Sequence, residues 1–123
     1  ILIKDNHIKA AGGIKPAIEA ARRASPHTLK IEVEVEDLAG VREALAAGAD
    51  IIMLDNMSPE EMAEAVQIIA GRAVVEASGG ISADNIQAVA ASGVDMISVG
   101  ALTHSVKAMD ISLDLYEVKA LHK

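Results

Sequence analysis

Short apolar runs recur along the chain, and between them lie longer stretches in which apolar residues return every three or four positions. The first run, Ile1 to Asn6, reads as the end of a strand. Gly13 to Ala24 follows as a helix with Ile14, Ala17, Ile18 and Ala21 on one face, stopped by Ser25 and Pro26. Lys30 to Glu36 is a strand, and Leu38 to Ala47 is a helix that Asp37 can cap and Gly48 can end. After a third strand, Asp50 to Asn56, residues Ser58, Pro59 and Glu61 supply a cap, a first-turn proline and a capping-box acid for a helix that Gly71 closes. A fourth unit has Val74 and Val75 as β-formers, a turn at Gly79 and Gly80, and a helix that Ser82 can cap. Its partner run, Val94 to Val99, ends in Gly100 and Ala101, with Thr103 placed to cap a short helix. Strand starts lie roughly 20 to 27 residues apart, which fits compact βα units with crossover helices and not hairpins. The class expected is α/β with a parallel sheet.

The polar positions within the strands change this picture. Buried parallel strands are usually apolar throughout, yet Lys30 to Glu36 alternates Ile31, Val33 and Val35 with Glu32, Glu34 and Glu36. On an exposed edge the glutamates form a solvated face; in a β/α barrel they line the lumen while the apolar side meets the helices. Lys4, Asn6, Asp55, Glu76, Ser78, Ser98 and Gly100 are inward candidates expected at the same height. Such a lumen is a site, because unpaired buried carboxylates cost too much to serve as packing. Lys4 is the one obvious cation in reach of it.

The strand ends point the same way. Asp5, Asn6 and His7 follow the first strand and Asp55 and Asn56 the third, at the edge where barrel enzymes carry their chemistry. Ser78 to Gly80, and Gly100 with Ala101, each place small residues after a strand and before a helix. Backbone amides and a helix N-terminus can there face a phosphate. Two ordinary βα turns needing glycine for geometry alone are the competing explanation. Carboxylates beside a phosphate site suit sugar hydroxyls or Mg²⁺, which takes one or two carboxylates plus ligand oxygens. His7 and His104 are possible donors to an anion.

Composition narrows the function classes. The chain has 123 residues, is 51% hydrophobic with one aromatic, and carries a formal charge of −7 with eleven Lys and Arg. That length holds one aliphatic core but is small for a closed barrel, and the first residue falls inside a strand pattern without an initiator Met. Both lead us to expect part of a larger domain. The acidic balance argues against nucleic acid as a partner. No apolar run approaches a membrane span, no secretory leader is evident, and Cys is absent, so a cytoplasmic setting fits.

Five segments then carry a resemblance: LIKDNHI (Leu2 to Ile8), IEVEVE (Ile31 to Glu36), IMLDNM (Ile52 to Met57), EASGGI (Glu76 to Ile81) and VGALTHS (Val99 to Ser105). In order and spacing they resemble the quinolinate phosphoribosyltransferases, whose activity moves phosphoribose from phosphoribosyl pyrophosphate to quinolinate with Mg²⁺, releasing pyrophosphate and CO2. The resemblance implies that Lys4 contacts anionic substrate groups. Glu34 and Asp55 would hold ribose hydroxyls and the Mg²⁺ environment, directly or through water. Ser78, Gly79, Gly80, Gly100 and Ala101 would cradle the 5-phosphate, with His104 bordering it. It also implies a cytoplasmic parent enzyme that is a homo-oligomer.

The departure from that family is at the front. Its members carry an N-terminal domain and early strands with an Arg-Lys-Thr motif and a His-Arg pair for the substrate anions, and this sequence has neither. Residues 1–109 are therefore expected to form a partial parallel β/α barrel with phosphate-binding loops. Residues 110–123, where Ile111, Leu113 and Leu115 alternate with polar residues from Asp110 to Tyr116, would be a strand and tail packing on an absent N-terminal domain. The alternatives are a catalytically silent phosphate-binding fragment, a molybdenum-uptake accessory protein, or another phosphate-binding barrel such as an isomerase of phosphoribosyl compounds.

Overall fold

A computed structural model describes residues 1–100. Five strands, β1 (Leu2–Ile3), β2 (Glu32–Val35), β3 (Ile51–Asp55), β4 (Val74–Ser78) and β5 (Met96–Ile97), form one parallel sheet in chain order. The helices α1 (Asp5–Ala11), α2 (Ile14–Ala24), α3 (Leu38–Ala46), α4 (Pro59–Ile69) and α5 (Ile86–Ala91) fill the connections. A doubly wound sheet reverses its strand order and has helices on both faces; here the order never reverses and one face is covered. α2 packs on α3, α3 on α4 and α4 on α5. Val33, Val35, Ile52, Leu54, Val75 and Ala77 point into that layer and meet Ile18, Val41, Ala44, Met62, Ala65, Ile69 and Val89, all buried. Among the described residues no polar or charged residue is buried with them, so the core is aliphatic throughout.

The alternating burial of β2 and β3 makes the other face the polar one, with Glu32, Glu34 and Asp55 each half-exposed. This is the inner face of an open segment of a barrel, as the expected partial barrel requires. The strand at Asp110 to Tyr116 and the cap at Thr103 lie outside the described residues. No described helix is long and apolar enough to cross a membrane.

Two expected elements differ. The chain does not stay extended to Asn6: the strand ends at Ile3 and α1 begins at Asp5, so Asn6 and His7 are helical. Of the first residues only Ile3 is buried in the sheet, paired with Val33. Beyond it a first-turn acid, an Asp5–Lys9 pair at 3.0 Å and Gly12 in the left-handed conformation all favour one short helix. At the fourth unit Ser82 does not cap the helix. It opens a turn, accepting the Asp84 amide at 3.3 Å, and α5 begins four residues later at Ile86. Asn85, at the N-cap position, has its side chain drawn back into the loop, where it accepts from the Ser82 amide and donates to the Gly80 carbonyl.

Candidate active site

Strand register sets the inner face in tiers. Glu34, Met53, Glu76 and Met96 are cross-strand neighbours in one tier, and Asp55 and Ser78 are partners in a higher one at the carboxyl ends of β3 and β4. The inward candidates are therefore not level. Lys4, just past β1, sends its ammonium to 3.8 Å from Glu34 Oε2, which joins the expected cation to the lower tier. Asn6 leaves the inner face altogether because it is in α1.

Glu34 opens into a cleft of about 270 Å³ between α1, the end of β2 and the start of α3, lined also by Ile8, Ile14, Glu36, Asp37 and Gly40. A neighbouring depression of about 320 Å³ is lined by Glu36, Asp55 and Asn56. Glu36 thus connects the two carboxylates singled out in the sequence. It belongs to the glutamate row, and only register shows that it reaches toward the level of Asp55.

The loops after β3 and β4 press against each other. The Asn56 amide donates to the Ser78 carbonyl at 2.9 Å, and Asn56 adopts φ 54°, a left-handed conformation that Asn tolerates better than most residues. Gly79 has φ 76°, and a Cβ there would lie 2.5 Å from Asp55 Oδ1 and 2.9 Å from the Asn56 nitrogen. A Cβ on Gly80 would lie 2.9 Å from Asn56 Oδ1. Absence of a side chain at 79 is thus required by the Asp55–Asn56 turn itself, before any ligand is considered. Gly79 leaves the space that the Asp55 carboxylate occupies.

Electrostatics divide the inner face. Asp55 and Glu36 have no cation within 4 Å among the described residues. Deeper, burial pushes the Glu32 carboxyl above the ordinary glutamate range, and its hydrogen bond with Glu76 and the charge on that residue add to the effect. Its Oε1 is buried with no hydrogen-bond partner among the described residues. Glu76 in turn accepts from the Ser98 hydroxyl. Sequence reading placed Glu32 in the acidic row and Glu76 inward, but their joining across β3 depends on two tiers meeting and has no local signal.

His7 is committed elsewhere. Its Nδ1 accepts the Lys4 amide at 3.0 Å, and the ring borders an apolar groove formed by Ile1, Leu2, Ile3 and alanines of α1 and α2, away from Glu34. It is not placed to donate to an anion in the cleft. Ala101 and His104 lie outside the described residues. No described group of three or more His, Asp or Glu is arranged to hold a metal by itself. Mg²⁺ bound mainly by phosphate oxygens needs only one or two carboxylates, and Asp55 and Glu36 line one depression.

The chain matches the family described as quinolinate phosphoribosyl transferase, C-terminal domain, over residues 1–114. Among similar proteins, a probable carboxylating nicotinate-nucleotide pyrophosphorylase of Methanocaldococcus jannaschii is 53% identical over 122 residues, covering 94% of this chain and 43% of that protein. The carboxylating nicotinate-nucleotide pyrophosphorylase of Homo sapiens is 43% identical over 119 residues, covering 94% and 40%. Among solved structures, the nicotinate-nucleotide pyrophosphorylase of Francisella tularensis superposes with a TM-score of 0.81 at 48% identity, over 90% of this chain and 39% of that one. The chain therefore spans about two-fifths of the length of the relatives it matches. With the acidic inner face, the paired loops after β3 and β4 and the parallel sheet all in place, the chain belongs to the quinolinate phosphoribosyl transferase family, as its C-terminal domain.

Proposed function

We propose that the full-length protein carrying this chain transfers phosphoribose from phosphoribosyl pyrophosphate to the ring nitrogen of quinolinate. The bond from the anomeric carbon to pyrophosphate breaks, the bond to nitrogen forms, and the 2-carboxylate leaves as CO2 with a proton taking its place, giving nicotinate mononucleotide. The observation that carries this reading is the pairing of Asp55 with Ser78 at the rim, above the Lys4–Glu34 pair. It sets carboxylates beside an open glycine loop, as a ribose phosphate needs.

Displacement at the anomeric carbon develops positive charge on the sugar, and fixed carboxylates beside it lower the barrier. In this reading Asp55 and Glu34 serve that charge and the ribose hydroxyls. Ser78, Gly79, Gly80, Gly100 and Ala101 hold the 5-phosphate, and His104 borders it. Lys4 takes an anionic group of either substrate; its 3.8 Å contact with Glu34 is solvent-accessible and weak enough to exchange. Asp55 with Glu34 or Glu36 would hold Mg²⁺, which would supply charge neutralisation for the departing pyrophosphate. The setting proposed is cytoplasmic and the full-length enzyme a homo-oligomer. The test is to supply the full-length protein with phosphoribosyl pyrophosphate, Mg²⁺ and either quinolinate or nicotinate. Nicotinate mononucleotide and CO2 from quinolinate alone are expected; turnover of nicotinate without CO2 would sink the assignment.

A second reading applies to residues 1–123 taken alone. β1 is an edge of the described sheet with Ile1 and Leu2 exposed beside an apolar groove, and exposed strand edges favour association. The chain by itself is proposed to bind ribose phosphates without turnover and to self-associate. A monomer with a sharp unfolding transition and measurable turnover would overturn this.

A further inference from the structure

The last described strand is a weak support for the job assigned to it. β5 has two residues and pairs only with β4 among the described strands, through Glu76↔Met96 and Ala77↔Ile97. Gly100, a member of the proposed phosphate cradle, lies three residues beyond its end. The chain between is tied to β4 at Ser98, twice. The Ser98 amide donates to the Ala77 carbonyl at 2.9 Å, and the Ser98 hydroxyl donates to Glu76 Oε1. Consecutive residues of β4 therefore grip one residue of the exit segment, one by its backbone and one by its side chain.

We propose that Glu76 is a positioning residue: through Ser98 it sets where the chain leaves β5, and so where Gly100 is delivered to the 5-phosphate. This rests on the function proposed above. Glu76 is suited to the task because its own side chain is held from the other side. The Glu32 carboxyl interacts with it from across β3, where the inward residues Ile51 and Met53 offer no competing polar group. Among the described residues no cation lies within 4 Å of Glu76, so a salt bridge is not its role. A carboxylate is not essential to the task. A glutamine could accept from Ser98 through its oxygen and donate to Glu32 through its nitrogen, keeping both contacts.

That difference supplies the test, made on the full-length protein with Glu76→Ala, Glu76→Gln and Ser98→Ala. Two quantities are read: steady-state kinetics for both substrates, and hydrogen exchange of the peptide spanning residues 95–100. Glu76→Ala and Ser98→Ala are expected to raise KM for phosphoribosyl pyrophosphate about tenfold, the loss of one charge-assisted hydrogen bond. They should leave kcat and the quinolinate KM little changed and speed exchange in that peptide alone. Glu76→Gln should restore both readings. Unchanged donor KM and exchange in Glu76→Ala would overturn the proposal. So would a Glu76→Gln variant as damaged as Glu76→Ala beside a harmless Ser98→Ala, since the carboxylate would then act on substrate directly. If the unsubstituted protein bound no phosphoribosyl pyrophosphate, the proposed function would fall. The exchange comparison would then decide alone whether Glu76 holds the exit segment, and unchanged exchange would count against it.

Discussion

The two ends of the sheet use the same side chain for opposite purposes. At the amino ends of the strands, Asp50 accepts the Ile31 amide at 2.8 Å and the Arg22 guanidinium at 3.0 Å, with Lys30 at 3.8 Å. Asp95 repeats the device one pair of strands along, accepting the Val75 amide at 2.8 Å. Each aspartate precedes its own strand and closes an amide at the amino end of the neighbouring one. At the carboxyl ends, Asp55 closes nothing: no described amide or cation binds its carboxylate, and it lines an open depression with Glu36 and Asn56. An acid satisfied by its own fold belongs to the architecture, and one left to solvent at the rim is free to serve a ligand. Residue type and hydropathy are alike in the two places; only what surrounds the carboxylate differs.

The comparison is sharpest in turnover. In the full-length protein Asp55→Ala is expected to lower kcat about 10²- to 10³-fold, as removal of a preorganised charge-stabilising group does. Its unfolding free energy should move by no more than about 0.5 kcal/mol. Steady-state kinetics beside urea titration checks both, and an unaltered rate would reduce Asp55 to a lumen carboxylate. At the other end the pattern should invert. Asp50→Ala strands the Ile31 amide and frees Arg22, costing about 2 kcal/mol after allowance for solvent at the partly exposed guanidinium. The rate per folded molecule should stay as it was, and an equal loss of rate would break the contrast.

Gly79→Ala tests the coupling between the two rim loops. The left-handed backbone conformation alone costs a residue with a Cβ about 1 kcal/mol, and the contact with Asp55 adds to it. Stability and turnover should fall together, unlike in either aspartate variant. If phosphoribosyl pyrophosphate binding fell while stability and the rate at saturation held, the glycine would be serving the ligand only.

The smallest effect is in acid. Burial raises the Asp50 carboxyl, but the Ile31 amide, Arg22 and Lys30 outweigh it and leave the group below the ordinary aspartate range. A group depressed in the folded state adds stability above its unfolded value, near 3.9 for aspartate, and that part is lost as pH falls through the folded value. Asp50→Asn should therefore be less stable than the parent sequence at neutral pH, with the gap closing below about pH 4. A gap that persisted undiminished in acid would mean that the ionised form contributes nothing there.

Much of this is legible in the sequence alone. The helices beginning after Gly13, Asp37 and Ser58 carry local signals, and the Ser58–Glu61 capping box is present with both bonds, 2.9 Å and 3.2 Å. The alternation of Glu32, Glu34 and Glu36 with Ile31, Val33 and Val35 was enough to assign an apolar face to the helices and an acidic face to the lumen. What could not be read was height. Asp55 and Glu34 share a face in any parallel arrangement, but the tier each occupies depends on strand register, which is fixed by contacts between residues some twenty positions apart.

Apart from α1, the sequence by itself determined the element types, the two faces of the sheet and the family, because periodicity, capping and motif order are local properties that survive without a partner. Tertiary structure decided which acids are structural and which are exposed. It showed that Gly79 yields to Asp55, that Asn85 and not Ser82 ties the loop before α5, that His7 turns away, and that Glu32, Glu76 and Ser98 form one chain of contacts across β2 to the end of β5. The Gly79–Asp55 contact and the Glu32, Glu76 and Ser98 chain join residues from separate βα units, and no local pattern of hydropathy or turn chemistry carries the distance between them.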